Sequence, residues 1–193
     1  MRRALLVIDM LEDFVRTEGR LPVPDAGKVL PRVRQEAEDA RARGEPVVYL
    51  CDAHAPDDAE FRRMGWPPHA VRGTSGARVV ESLSPAPYDP VVEKTTYSGF
   101  HGSRLDEVLR ERAVDTVRLV GCVTNICVLY TAADAAMRGY EVEVVGDAVA
   151  GLDAADHEWA LRQVNRVLGG RVVGRDFEGE GTGEPPPVPD TAP

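Results

Sequence analysis

Apolar residues along this chain come in short runs rich in Val, Ile and Leu. Six of the runs read as strands: ALLVIDM (4–10), PVVYLCD (46–52), DPVVEK (89–94), TVRLVG (116–121), YEVEVVGDA (140–148) and the weaker GGRVVG (169–174). Helical spacing fills most of the gaps. AGKVLPRVRQEAEDARARG (26–44) predicts a helix, with Pro31 tolerable only near its start or at a break. SRLDEVLRER (103–112) puts Leu105, Val108 and Leu109 on one helical face, with Ser103 as its cap. CVLYTAADAAMRG (127–139) predicts a helix stopped by Gly139, and AADHEWALRQVNRVLGG (154–170) predicts the last one. Strands alternating with helices predict a three-layer α/β/α domain around a mostly parallel six-stranded sheet. The predicted domain covers 1–176. The remaining 177–193 is rich in Pro, Gly and acids and predicts a disordered, solvated terminus.

Composition narrows the function classes. The 193 residues suit one domain with a substantial core, and 43% are hydrophobic. A net charge of −9 argues against nucleic-acid binding, which needs a basic face. No apolar stretch approaches the roughly 20 residues of a membrane span. Two arginines and an apolar run open the chain, but Asp9, Glu12 and Asp13 follow at once, so no secretory leader is expected. Three cysteines without a framework pattern point to a reducing, cytoplasmic setting.

Ligands in parallel sheets gather at the carboxyl ends of the strands. Three ends carry Asp9, Asp52-Ala53-His54 and Lys94, and a fourth is followed shortly by Cys127. Each has an ordinary reading alone: Asp9 as a turn cap, Lys94 as a solvated edge charge, Cys127 as a small buried residue. Cys122 reads as a buried, inert thiol. Cys127 differs because it follows Asn125, a good helix cap. A thiol in the first turn of a helix feels the positive end of the macrodipole, which favours thiolate. An acid, a cation and a thiol at one sheet edge can together activate the sulfur.

The loop CDAHAPDDAEFRRMGWPPHAVRGTSG (51–76) is long for a connection. Its Asp52, His54 and His69 are ligand types suited to Zn, Fe or Mn. Asp-x-His leaving a strand puts both side chains on one face. Asp57, Asp58 and Glu60 are further candidate ligands. His101 and His157 do not cluster and read as surface residues.

Five segments carry a family resemblance: VIDMLEDF, DAH, WPPHAVRGTSGA, EKTTYSGFHGSRLDEVL and GCVTNICVLYTAADAAMRGYEVEVVGDA. They resemble the isochorismatase-like cysteine hydrolases, with their Rossmann-like fold, and within them the nicotinamidase (pyrazinamidase) subgroup. The resemblance spans about residues 4–173. It implies Asp9, Lys94 and Cys127 as a catalytic triad. It implies a cis peptide before Val123 and an oxyanion hole from the amides of Val123 and Cys127. Asp52, His54 and His69 would hold one divalent metal ion, Zn first with Fe or Mn as alternatives, and Glu60 would be an extra ligand. Phe14, Trp66, Tyr97 and Ile126 would line the pocket. The implied activity is hydrolysis of nicotinamide to nicotinate and ammonia, as part of NAD salvage. The alternatives are an amidohydrolase of the same family acting on another small amide, carbamoyl or ureido substrate, and an idle thiol-based binding or sensing protein. The implied partners are a small-molecule amide and further copies of the chain, with no nucleic acid and no membrane. Leu11, Asn125 and Ile126 depart from the subgroup's usual residues.

Overall fold

The computed structural model describes residues 2–175. The tail predicted over 177–193 lies outside the described residues. The six predicted strands form, each ending within two residues of its apolar run: β1 (Arg3–Ile8), β2 (Val47–Asp52), β3 (Val91–Lys94), β4 (Thr116–Cys122), β5 (Glu141–Ala150) and β6 (Arg171–Val173). They make one sheet in the order β3-β2-β1-β4-β5-β6, and every pairing is parallel. The expected "mostly parallel" sheet is thus wholly parallel.

The helices are α1 (Glu12–Val15), α2 (Ala26–Ala42), α3 (Ala59–Met64), α4 (Leu105–Glu111), α5 (Leu129–Met137) and α6 (Ala154–Arg166). Alternation along β1 sorts the two sheet faces. Leu5 and Val7 face a core built with Val33, Ala37 and Ala40 of α2. Ala4, Leu6 and Ile8 face a second core built with Leu105 and Leu109 of α4, Ala132 of α5 and Leu161 of α6. Strands buried on both faces need no polar alternation, which is why they read as continuous Val, Ile and Leu runs.

Pro31 is the sixth residue of α2, past its first turn, and the helix continues through it without a break, against the expectation. Ser103 acts as expected, its hydroxyl accepting the Leu105 amide at 3.1 Å. Asp153 caps α6 by accepting from the amides of Ala155 and Asp156. Asn125 does not cap a helix. The chain between β4 and α5 makes a π-helical turn, Thr124–Val128, without a side-chain cap, and the Asn125 amide leans on Asp156 instead. The short α1 and α3 were not legible from periodicity, since one turn or so is too short to show a period. Among the described residues no helix is long and apolar enough to cross a membrane.

β1 and β4 are neighbours, and the sheet order reverses between them. β1 continues toward α1 and α2 on one face, and β4 toward α5 on the other. Chains leaving in opposite directions open a crevice at that point, as in other doubly wound sheets. Gly121 makes the close approach possible. Its φ is +113°, and a Cβ there would collide with the carbonyl of Ile8. We expect Gly121→Ala to cost about 2–6 kcal/mol, the sum of backbone strain and overpacking, read from urea unfolding. An unchanged midpoint would show that the strand pair can spread without cost.

Candidate active site

Register builds the first cluster. Asp52 on β2 pairs directly with Lys94 on β3, so the two side chains leave the same face. Ile8 pairs with Leu50 and Gly121, which places Asp9 one step beyond the end of β1, between them. Asp9 has φ +50°, uncommon for a non-glycine residue, and its carboxylate is fixed by the Asp52 amide at 2.8 Å.

Lys94 is fully buried, against the edge-charge reading of its position. Its Nζ lies 2.8 Å from Asp9 Oδ2, 2.6 Å from Asp52 Oδ1, 3.2 Å from the Thr96 carbonyl and 3.3 Å from Cys127 Sγ. The sulfur falls within 4.8 Å of carboxylate oxygens of both Asp9 and Asp52. The structure therefore brings Asp9, Lys94 and Cys127 together.

Electrostatics assign resting protonation states. Burial, helped by Asp52, raises the Asp9 carboxyl to about 6 against the pull of Lys94. The two carboxylates hold Lys94 protonated well above the usual lysine range, although burial opposes its charge. Burial also pushes the Cys127 thiol well above the usual cysteine range, and Lys94 only partly offsets it. The depressed thiol expected from a helix start is not found: Cys127 sits in the π turn, and desolvation outweighs the favourable charges. Near neutral pH the pair is a carboxylate on Asp9 beside a thiol on Cys127. The Cys122–Val123 peptide is cis, as the resemblance implied. Cys122 is buried and its thiol donates to the Asp9 carbonyl at 3.2 Å.

The second cluster shares a residue with the first. Asp52 gives Oδ1 to Lys94, while Oδ2 faces His54 Nε2 at 3.6 Å. Asp52, His54 and His69 each offer a ligand atom, all within 4.8 Å of one another, and all three residues are buried. His54 Nδ1 is held by Asp58 at 3.0 Å and His69 Nδ1 by the Pro67 carbonyl at 2.9 Å. Those bonds turn each Nε2 inward, and His54 Nε2 is a buried nitrogen without a hydrogen-bond partner. Asp52 and then Asp58 raise His54 to about 9 although burial works against its charge, so this spot favours a positive charge. Burial lowers His69 toward its neutral form. A divalent cation fits this donor set, with outer partners already on both imidazoles.

Glu60 is buried and lines the pocket but stands outside the 4.8 Å group. Asp57 is exposed, whereas Asp58 caps α3 and holds His54. The pocket bordered by Asp9, Asp52, His69 and Cys127 is also lined by Phe14, Trp66, Tyr97, Ile126 and Val123. Leu21, Val23, Cys122 and Leu152 complete the wall and carried no signal in the sequence beyond being apolar. His157 is half-buried instead of a free surface residue: its Nδ1 meets the Thr124 hydroxyl at 2.9 Å.

A model of the isochorismatase domain matches residues 3–175. The chain belongs to the isochorismatase family. It is a hydrolase of that family, and its relatives include several amide-cleaving enzymes. The nicotinamidase/pyrazinamidase of Mycobacterium tuberculosis is 32% identical over 176 residues, covering 84% of this chain and 94% of that protein. The pyrazinamidase of Pyrococcus horikoshii, solved in complex with zinc, superposes with a TM-score of 0.84 at 34% identity, covering 91% of this chain and all of that one. The N-carbamoylsarcosine amidase of Thermoplasma acidophilum superposes with a TM-score of 0.80 at 41% identity, covering 93% of this chain and all of that one.

Proposed function

We propose that this isochorismatase-family hydrolase is a nicotinamidase, converting nicotinamide and water to nicotinate and ammonia. The observation that carries the reading is a pair of adjoining clusters, joined by Asp52, that border one aromatic-walled pocket. One is the Asp9, Lys94 and Cys127 cluster. The other is the Asp52, His54 and His69 group, whose His54 Nε2 is buried without a hydrogen bond. We assign a divalent ion, Zn by preference, to those three ligands, where it supplies a Lewis-acidic seat for a ring nitrogen.

The chemistry then runs on the chain's own residues. As Cys127 Sγ attacks the carboxamide carbon, its proton passes to the Asp9 carboxylate. Lys94 keeps its charge throughout and stabilises whichever anion the pair holds. The amides of Val123 and Cys127 receive the developing oxyanion. The protonated Asp9 gives its proton to the leaving nitrogen, and ammonia departs from a Cys127 thioester. Asp9 then deprotonates a water that hydrolyses the thioester and restores the thiol. Phe14 and Trp66 orient the ring between the two clusters.

The second reading is a family amidase for a carbamoyl or ureido acid, favoured by the identity to the carbamoylsarcosine enzyme. The pocket wall weighs against it. Asp9, Asp52 and Glu60 line the pocket, and the nearby Lys94 and Arg63 are already paired with those acids. A substrate carboxylate would meet more negative than positive charge there.

The experiment is metal analysis combined with kinetics. We expect stoichiometric metal after exposure to Zn, and loss of it in His54→Ala and His69→Ala. Nicotinamide turnover in both should fall by at least the roughly 10–100-fold that loss of an outer-shell partner costs. Benzamide, lacking the ring nitrogen, should be a poor substrate for the intact enzyme and nearly indifferent to either change. Normal nicotinamide turnover by both variants would transfer the case to the second reading.

A further inference from the structure

Asp13 belongs to neither cluster, yet its carboxylate is buried and fully engaged. Oδ2 accepts the Ala70 amide at 2.8 Å, and Oδ1 accepts the Arg20 amide at 3.2 Å. Its own amide donates to the Gly76 carbonyl, and its carbonyl accepts from Leu21. A charged side chain spent on backbone amides is holding loops in place.

Ala70 is the key contact. It follows His69, and its φ of +44° lies in the left-handed region, uncommon for a residue with a Cβ. Such a backbone persists when its surroundings over-determine it. Here the Ala70 amide goes to Asp13 and its carbonyl accepts from the His54 amide at 3.0 Å. The turn that aims His69 is thus pinned from one side by Asp13 and from the other by His54. Phe14, next to Asp13, sets its ring 5.4 Å from that of His69. Gly76 leaves room for the arrangement, because a Cβ there would collide with the Asp13 carboxylate.

We infer that Asp13 is a positioning residue for the metal cluster: by holding the Ala70 amide it fixes His69 in ligating geometry. The inference rests on the metal reading above. Asp13→Asn keeps the shape but presents an NH2 group to one of two amide donors, so one contact becomes repulsive.

The test is Zn affinity of the chelator-stripped full chain, measured by competition with a chromophoric chelator. Asp13→Asn should weaken Zn binding about 10–100-fold, the usual effect of losing outer-shell support. The deciding arm is a double-mutant cycle with His69→Ala. Once His69 is gone, Asp13→Asn should cause little further loss. Equal loss in both backgrounds would mean that Asp13 supports the fold generally, and would overturn the inference, as would wild-type affinity in Asp13→Asn. Should Asp13→Asn not fold, Gly76→Ala displaces the same carboxylate and is judged by the same cycle. A wild-type chain that takes up no Zn removes the metal reading itself. That result is distinct from a wild type that binds Zn and an Asp13 variant that binds it equally well.

Discussion

Cys127→Ala should lose about 10⁴–10⁶-fold in turnover, the scale seen when a covalent nucleophile is removed. The reason is positional. Among the three cysteines only Cys127 has a lysine Nζ at hydrogen-bond range and an acid within 4.8 Å. Cys122 is the informative control, because it lines the same pocket and is equally buried. It contributes one hydrogen bond, to the Asp9 carbonyl. Losing that bond removes about 0.5–1.5 kcal/mol, so Cys122→Ala should retain turnover within about tenfold. Burial holds Cys122 and Cys51 protonated, so neither is a ready substitute nucleophile. An aldehyde analogue of the substrate should add one equivalent to the wild type by mass spectrometry and none to Cys127→Ala. Adduct formation on the variant, or comparable turnover, would end the cysteine-hydrolase mechanism.

Lys94→Met should damage folding and activity together. The ammonium lies between two buried carboxylates, 2.8 Å from one and 2.6 Å from the other. Methionine fits the volume but leaves Asp9 and Asp52 facing each other without the ammonium, with only His54, 3.6 Å from Asp52, to offset them. Removing one partner of a buried ion pair costs about 3–5 kcal/mol, because the other charge stays behind. We therefore expect the metal-stripped variant to unfold at much lower urea than wild type. Whatever folded variant is recovered should be nearly inactive, since Asp9 would keep its proton and could not accept that of Cys127. A variant as stable as wild type would show that the cluster carries no such charge. The triple variant with Asp9→Asn and Asp52→Asn should recover stability without recovering turnover, which separates the two effects.

Much of this was legible in the sequence, for identifiable reasons. The strand ends were, because a wholly parallel sheet writes each buried strand as an apolar run and each end as a polar break. Asp9, Asp52 and Lys94 were visible as breaks of that kind. That Lys94 is buried was not, because burial follows from register with Asp52, and register is a pairing between strands 42 residues apart. The π turn under Cys127 was read as a helix start, since the two share a composition and differ by one residue per turn. The direction of the thiol shift went with it: position along a helix is local, but desolvation is set by everything packed around the sulfur. Asp13 was passed over because its partners are backbone amides, which every sequence has and no sequence advertises.

The crevice between β1 and β4 has a consequence for how such a protein can change. Asp9, Lys94 and the β4 end are spaced by strand register, so moving one relative to the others would require re-pairing a strand. Phe14, Trp66 and His69 stand on segments that join the strands and are tied down by a few local bonds. The Asp9, Lys94 and Cys127 cluster and the loop that carries Trp66 and His69 are thus held by different means, with Asp52 joining them. A transplant of residues 53–80 from a relative should change the pocket wall at Trp66 and His69 while leaving Phe14, Tyr97 and the spacing of that cluster in place.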